Sequence, residues 1–332
     1  MDGYNKFSIR TDLAIESHEM LHTEEEGAAL EGIKVTVGEE NVGIRLTSIE
    51  ILNEEGAEKM GRPIGTYITI ESEAMRDNDT IAHEEIAEIL ARELGKLHCL
   101  GNDDVILVAG LGNWNVTPDA LGPKVVEKIL VTRHIAPAMP QELKGKARPV
   151  SAISPGVMGM TGIETLEILS GIVEHIRPSL VIAIDALAAR QANRINTTIQ
   201  MSNTGIHPGA GVGNKRKALN QETLGVPVIA IGVPTVVDAA TLVNDTLDRM
   251  LDSMIQETEI GSEFYSMLQN LAEEEKYILI KKILDPYTGN MFVATKEVDA
   301  VIERLSKIIA NALNIALHPG IHLSDMNRYI EA

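Results

Sequence analysis

The residues best placed to do chemistry in this chain are two aspartates, each following an aliphatic run. Asp119 closes the loop Gly110-Leu111-Gly112-Asn113-Trp114-Asn115-Val116-Thr117-Pro118 after the run 105–109, and Asp185 directly follows the run 180–184. Unbroken β-branched runs of this kind read as strands buried on both faces of a parallel sheet. Each aspartate is therefore expected where a strand opens into a loop, at the carboxyl edge of the sheet where α/β proteins bind ligands. Two neighbouring carboxylates share a proton, because the first charge raises the pKa of the second group, leaving one base and one acid. The same pair could instead hold a divalent metal that activates water, given a third ligand, for which His207 and Asp238 are the candidates. Gly110, Gly112 and Asn113 are the candidate donors to a developing oxyanion.

The elements around these residues alternate strand and helix. After Gly122 and Pro123, Val125, Val126, Ile129 and Leu130 have helical spacing, with Pro123 suited to a first turn. A third buried strand is expected at 228–231, entered through Pro227 and left through Gly232 and Pro234. Three such strands joined by helices imply right-handed parallel crossovers in a single α/β domain. Residues 33–37, 42–52 and 64–70 read as antiparallel strands at its margin, separated by 38–41 and 53–63. Thr80 is the expected N-cap of a helix carrying Ile86, Ile89, Leu90, Leu94 and Leu97, and Thr161 with Glu164 has the capping-box pattern before a helix ending near Ile176. Residues 191–224 have little periodicity and read as a long functional loop. Three helices are expected toward the C-terminus, over 242–255, 264–284 and 298–317, the last capped by Thr295.

Composition narrows the choice of function. The chain has 332 residues, of which 44% are apolar and only 3% aromatic, so it is globular with an aliphatic core. A net charge of -19 argues against direct binding to a nucleic acid backbone. The single cysteine, Cys99, allows no internal disulfide and fits a reducing cytoplasm. No apolar run reaches the roughly 20 residues of a membrane span, and residues 1–20 lack the apolar core of a signal peptide. Within so acidic a chain the basic groups are conspicuous: Arg190, Arg194, Lys215, Arg216 and Lys217 are candidates to receive an acidic side chain of a substrate. Serine chemistry has weaker support, since neither Ser154 nor Ser202 sits in a G-x-S-x-G elbow. The alternative to hydrolysis is a nucleotide- or phosphate-binding α/β enzyme using the same turn. Gly110-Leu111-Gly112 begins like a dinucleotide fingerprint, but the third glycine does not arrive at the required spacing.

The segments GLGNWNVTPDALGP, SLVIAIDALAAR, TGIHPGAGVGNKRKALN and ATKEVDAVIERL, together with RTDLAIESHE near the start, resemble the germination proteases of spore-forming bacteria. The resemblance extends over nearly the whole chain. It implies an endopeptidase of the forespore and spore-core cytoplasm that begins degradation of small acid-soluble spore proteins, made as a zymogen and assembled as a homotetramer. The catalytic aspartates it implies are Asp119 and Asp185. Cleavage in this family falls after an acidic residue and before a large apolar one followed by Ala, a form met by Thr11-Asp12-Leu13-Ala14-Ile15-Glu16. The implied processing bond is Asp12–Leu13, making 1–12 a propeptide and 13–332 one peptidase domain with helical C-terminal elaboration. The two aspartate motifs are also similar to those of hydrogenase maturation endopeptidases. This implies a three-layer αβα sandwich with a largely parallel central sheet, extended here by N-terminal strands and C-terminal helices. A metal-independent acid pair, with no cofactor, is the expectation.

Overall fold

A computed structural model describes residues 11–24, 30–41, 43–136, 146–209, 216–257 and 291–321. These form an α/β fold around one nine-stranded mixed sheet. Strands β1 (Ile33–Asn41), β2 (Ile44–Ile51) and β3 (Gly65–Glu71) pair antiparallel at one margin, as their alternation requires. At the other margin, β4 (Ile106–Gly110) lies parallel between β5 (Val150–Ile153) and β6 (Leu180–Ala189), and β6 pairs parallel with β8 (Val228–Asp238). Strand β7 (Thr198–Ser202) joins the halves, antiparallel to both β3 and β8, and the short β9 (Phe292–Val293) adds to the end of β8. The order across the sheet is β1-β2-β3-β7-β8-β6-β4-β5.

Side-chain alternation along β6 sorts the two helical layers. Leu180, Ile182 and Ile184 face the larger core beneath α3 (Thr80–Leu97), α4 (Leu121–Glu127) and α9 (Val298–Leu317). Val181 and Ala183 face the opposite side, under α6 (Thr165–Ile176) and α7 (Gln221–Leu224). Four residues beyond Ala183 on that second face, Leu187 joins a third cluster with Leu13, with Ala14 and Ile15 at the start of α1 (Ala14–Glu24), and with Met60 of α2 (Glu54–Met60). The second face is thus covered by two separate groups of helices, and Asp185 falls between them. Packing of α9 depends on Ile302, Leu305, Ile309 and Leu313, all fully buried; truncating such a residue to Ala costs about 2–5 kcal/mol.

Several local expectations need correction. Strand β6 continues through Asp185 to Ala189, because Ala186, Leu187, Ala188 and Ala189 stay paired to β8. Strand β8 likewise runs on through Gly232 and Pro234, with an irregularity in register between Leu187 and Ala188. The supposed loop 191–224 contains β7 and α7; all five residues of β7 are buried although Thr198, Gln200 and Ser202 are polar, so the segment reads as a polar loop rather than as a strand inside the sheet. Separator 53–63 contains α2, and β1 runs on through 38–41. Asp79 rather than Thr80 caps α3, accepting from the amides of Ile81 and Ala82. No capping box forms at Thr161, whose hydroxyl bonds within its own turn, whereas Asn220 and Thr223 do form one. Thr295 does not cap α9 with its side chain; its hydroxyl accepts from Asn196. The N-terminal residues 1–10 and the expected helix 264–284 lie outside the described residues.

Candidate active site

Asp119 is positioned by backbone packing. The end of β4 meets the start of α4 so closely that a Cβ on Gly110 would lie 2.1 Å from the carbonyl oxygen of Gly122. Gly112, at a φ of +108°, turns the chain where a Cβ would lie 2.0 Å from the carbonyl oxygen of Asp119. Residues 117–119 form a single 3-10 turn, held by the Asp119 amide to Val116 O (2.8 Å), the Asn113 amide to Asp119 O (3.0 Å) and the Thr235 hydroxyl to Pro118 O (2.8 Å). These glycines are explained by close backbone approach, without a phosphate.

Asp185 is fixed by the sheet. Pairing of β4 with β6 ends at Gly110 and Ile184, so Asp185 is the first residue of β6 beyond β4, while β8 still flanks it at Gly232. Its side chain is 4% exposed and accepts the Ala186 amide at 3.0 Å. Burial, and then the charges of Asp119 and Asp12, push its pKa well above the ordinary carboxylate value. Burial also raises Asp119, opposed by a hydrogen bond from the Asn113 backbone and by the positive charge of Arg216. A cleft of about 340 Å³ is lined by both aspartates together with Asp12, Gly112, Arg216 and Thr235.

The stretch from Thr11 to Glu16 occupies the adjoining groove. The Asp12 amide donates to Ala188 O (3.2 Å), and the Ala188 amide donates back to the Asp12 carboxylate (2.9 Å). Leu13 and Ala14 are fully buried. The Gln200 side chain donates to the Asp12 carbonyl oxygen (3.1 Å) and accepts the Ala14 amide (2.5 Å). The Glu16 carboxylate, fully buried, accepts the amides of Arg190 (2.8 Å) and Gln191 (2.9 Å). Arg194 stands 3.6 Å from Glu16 and makes closer pairs with Glu19 (2.6 Å) and Glu71 (3.0 Å).

The other candidates fare differently. Arg194 is already engaged by carboxylates of its own chain, and Arg190 acts on Glu16 through its backbone amide. Arg216 reaches the cleft, Lys217 is exposed, and Lys215 lies outside the described residues. The Asn113 amide is engaged by Asp119 and its side-chain oxygen by the Asn115 amide, so of the three candidate oxyanion donors Gly112 alone lines the cleft. His207 lines a neighbouring cavity with Arg62 and Gln200, and the Asp238 carboxylate accepts the Ala240 amide at the start of α8 (Ala239–Glu257). Among the described residues no three His, Cys, Asp or Glu side chains are gathered so that they could hold a metal ion. Sequence reasoning missed Gln200 and Ala188; a Gln in an otherwise apolar or hydroxyl-bearing strand was the available signal.

Two carboxylates raised by burial in one cleft, with the chain's own Thr11–Leu13 docked beside them, give this α/β fold the kind of site that acid–base hydrolysis uses. The family model Peptidase_A25, described as germination protease, matches residues 12–263 and 252–330. The germination protease of Clostridium perfringens (strain 13 / Type A) is 51% identical over 328 residues, covering 98% of this chain and 99% of that one. That of Bacillus mycoides (strain KBAB4) is 45% identical over 360 residues, covering 98% of each. The chain belongs to the germination protease family and is a protease of spore germination. A [NiFe] hydrogenase maturation protease, HycI from Thermococcus kodakarensis KOD1, aligns with 67% of this chain and 98% of its own at 17% identity and a TM-score of 0.33. Among the described residues no helix is long and apolar enough to cross a membrane.

Proposed function

We propose that this chain is a self-processing endopeptidase that starts the degradation of small acid-soluble spore proteins, with Asp119 and Asp185 as a metal-independent acid–base pair. It cleaves after an acidic residue and before a large apolar residue followed by Ala. It is made as a zymogen, removes residues 1–12 by cutting Asp12–Leu13, and works as a homotetramer in the cytoplasm of the forespore and spore core. The observation that carries this reading is the position of its own Asp12: bonded to Ala188, three residues beyond Asp185, and lining the same cleft as both aspartates.

Asp185, the more buried of the two, is assigned the proton, and Asp119, nearer solvent, is assigned the role of base. Water attacks the carbonyl carbon of residue 12 and gives its proton to Asp119. As the tetrahedral intermediate collapses, the C–N bond breaks and the nitrogen takes the proton of Asp185. Proton exchange with solvent then restores the starting pair.

The test uses the full-length protein, its Asp119→Asn and Asp185→Asn variants, and a peptide containing Thr-Glu-Phe-Ala-Ser-Glu, with and without a strong chelator. Cutting at Asp12–Leu13 and at Glu-Phe is expected to survive chelation and to disappear in both variants. Loss on chelation with rescue by one metal would make the aspartates ligands instead.

A further inference from the structure

Across the sheet, Gln200 of β7 and Asp185 of β6 are both paired with the same residue of the strand between them, Gly232 of β8. Residues in one such row present their side chains to the same face, and two strand spacings separate the outer pair by roughly 10 Å. The middle position has no side chain. A Cβ there would meet the Leu187 side chain at 2.4 Å, so the face between the acid and the amide is kept low by glycine. The Asp12–Leu13 peptide bond lies beside this row. Its carbonyl oxygen receives the Gln200 amide N–H at 3.1 Å, while the Gln200 oxygen accepts the amide of Ala14 at 2.5 Å. That second bond fixes which end of the side-chain amide faces the carbonyl.

We infer that Gln200 is a catalytic residue: its side-chain N–H holds the scissile carbonyl oxygen and stabilises the negative charge that forms there when water adds. This rests on the reading of Asp12–Leu13 as the bond cut by the two aspartates. Register is set from both sides of the bond. The Ala188 amide holds the acidic residue before it, and the amides of Arg190 and Gln191 hold the acidic residue four positions after it. A peptide substrate in trans takes the same contacts once the chain's own 12–16 stretch has left the groove. The donor is a neutral amide, so it acts on the oxyanion without exchanging a proton with it, and Asp185 remains the proton source for the leaving nitrogen.

The experiment measures self-cleavage at Asp12–Leu13 in the full-length protein and its Gln200→Leu and Gln200→Glu variants from pH 4 to pH 8, with thermal unfolding of each. Loss of one preorganised oxyanion donor is expected to slow cleavage about 100-fold in Gln200→Leu at every pH. In Gln200→Glu the loss is equally large at pH 8, where the side chain is an anion with no proton to donate. It shrinks toward wild type as the pH falls and the carboxyl gains an O–H. Asp12, Asp185, Arg62 and His207 are common to all three proteins, so the rate of each variant is read as a ratio to wild type at the same pH. A packing role for Gln200 would give no such acid rescue of Glu over Leu. The inference is overturned if both folded variants cleave within about threefold of wild type, or if the two lose activity in parallel at all pH values. Absence of cleavage by wild type itself would overturn the protease assignment of the aspartates, and this proposal with it.

Discussion

Strand β6 has two halves with different surroundings. Residues 180–184 are flanked by β4 on one edge and β8 on the other, whereas 186–189 keep β8 alone among the described strands, and the open edge is taken by Asp12. The first half is core, and it ends by delivering Asp185 to a cleft beside Asp119. The second half is a docking template: its open edge holds Asp12 through that residue's amide and its carboxylate, just before α1 begins. One strand therefore supplies both an acid and a peptide-binding edge, and the place where β4 stops is the boundary between them.

The largest effect should come at that boundary. Asp119→Asn and Asp185→Asn are each expected to reduce cleavage by at least about 10³-fold while leaving the amides of Ala188, Arg190 and Gln191 protected from hydrogen exchange by the bound Asp12 and Glu16. Loss of that protection in parallel with loss of turnover would dissolve the distinction between the two halves. Next comes the anchor of the template half. Arg194→Met leaves Glu71 without its cation and should lower stability by roughly 3 kcal/mol, read from urea unfolding of the full-length protein. Gly110→Ala tests the core half, forcing a methyl against the Gly122 carbonyl, and should cost about 2 kcal/mol by the same measurement.

A smaller effect should separate by pH. Burial and neighbouring carboxylates raise the pKa of Asp185 in the folded protein, so the folded state binds this proton more tightly than the unfolded chain does. Its contribution is fully present below the ordinary Asp value and is lost as pH rises through the raised folded value. Asp185→Asn should therefore match wild type in thermal unfolding at low pH and melt a few degrees higher at neutral pH. An equal difference at both pH values would show that the carboxyl is not desolvated. The smallest change is expected from Lys34→Met at the antiparallel margin, where an exposed ion pair with Glu50 contributes about 0.5 kcal/mol or less.

What could be read in the sequence was whatever depended on near neighbours. The runs 106–110, 180–184 and 228–231 are aliphatic because both faces of a parallel strand are buried, and their adjacency was enough to bring Asp119 and Asp185 together. Strand β7 escaped notice because Thr198, Gln200 and Ser202 are polar yet buried. The role of Arg194 was hidden for a related reason. Its partners Glu19 and Glu71 lie more than a hundred residues away, so the sequence suggested a substrate's acid for Arg194 where the fold places two acids of the same chain. The docking of residues 12–16 against Ala188, Arg190 and Gln191 is equally long in range. Motif resemblance marked that stretch as a cleavage sequence, but only the fold shows it lying against Ala188 and Gln200.

The contacts that hold Asp12 to Ala188 and Glu16 to Arg190 and Gln191 are all made within one chain. On the proposed reading of Asp12–Leu13 as a bond the chain cuts for itself, that cut is a unimolecular event, with the effective concentration of the bond fixed by the fold rather than by how many molecules are present. Tenfold dilution should leave its half-time unchanged. Each molecule would carry its own timer, set going by whatever change completes the site, and a population would mature at one rate whether scarce or abundant.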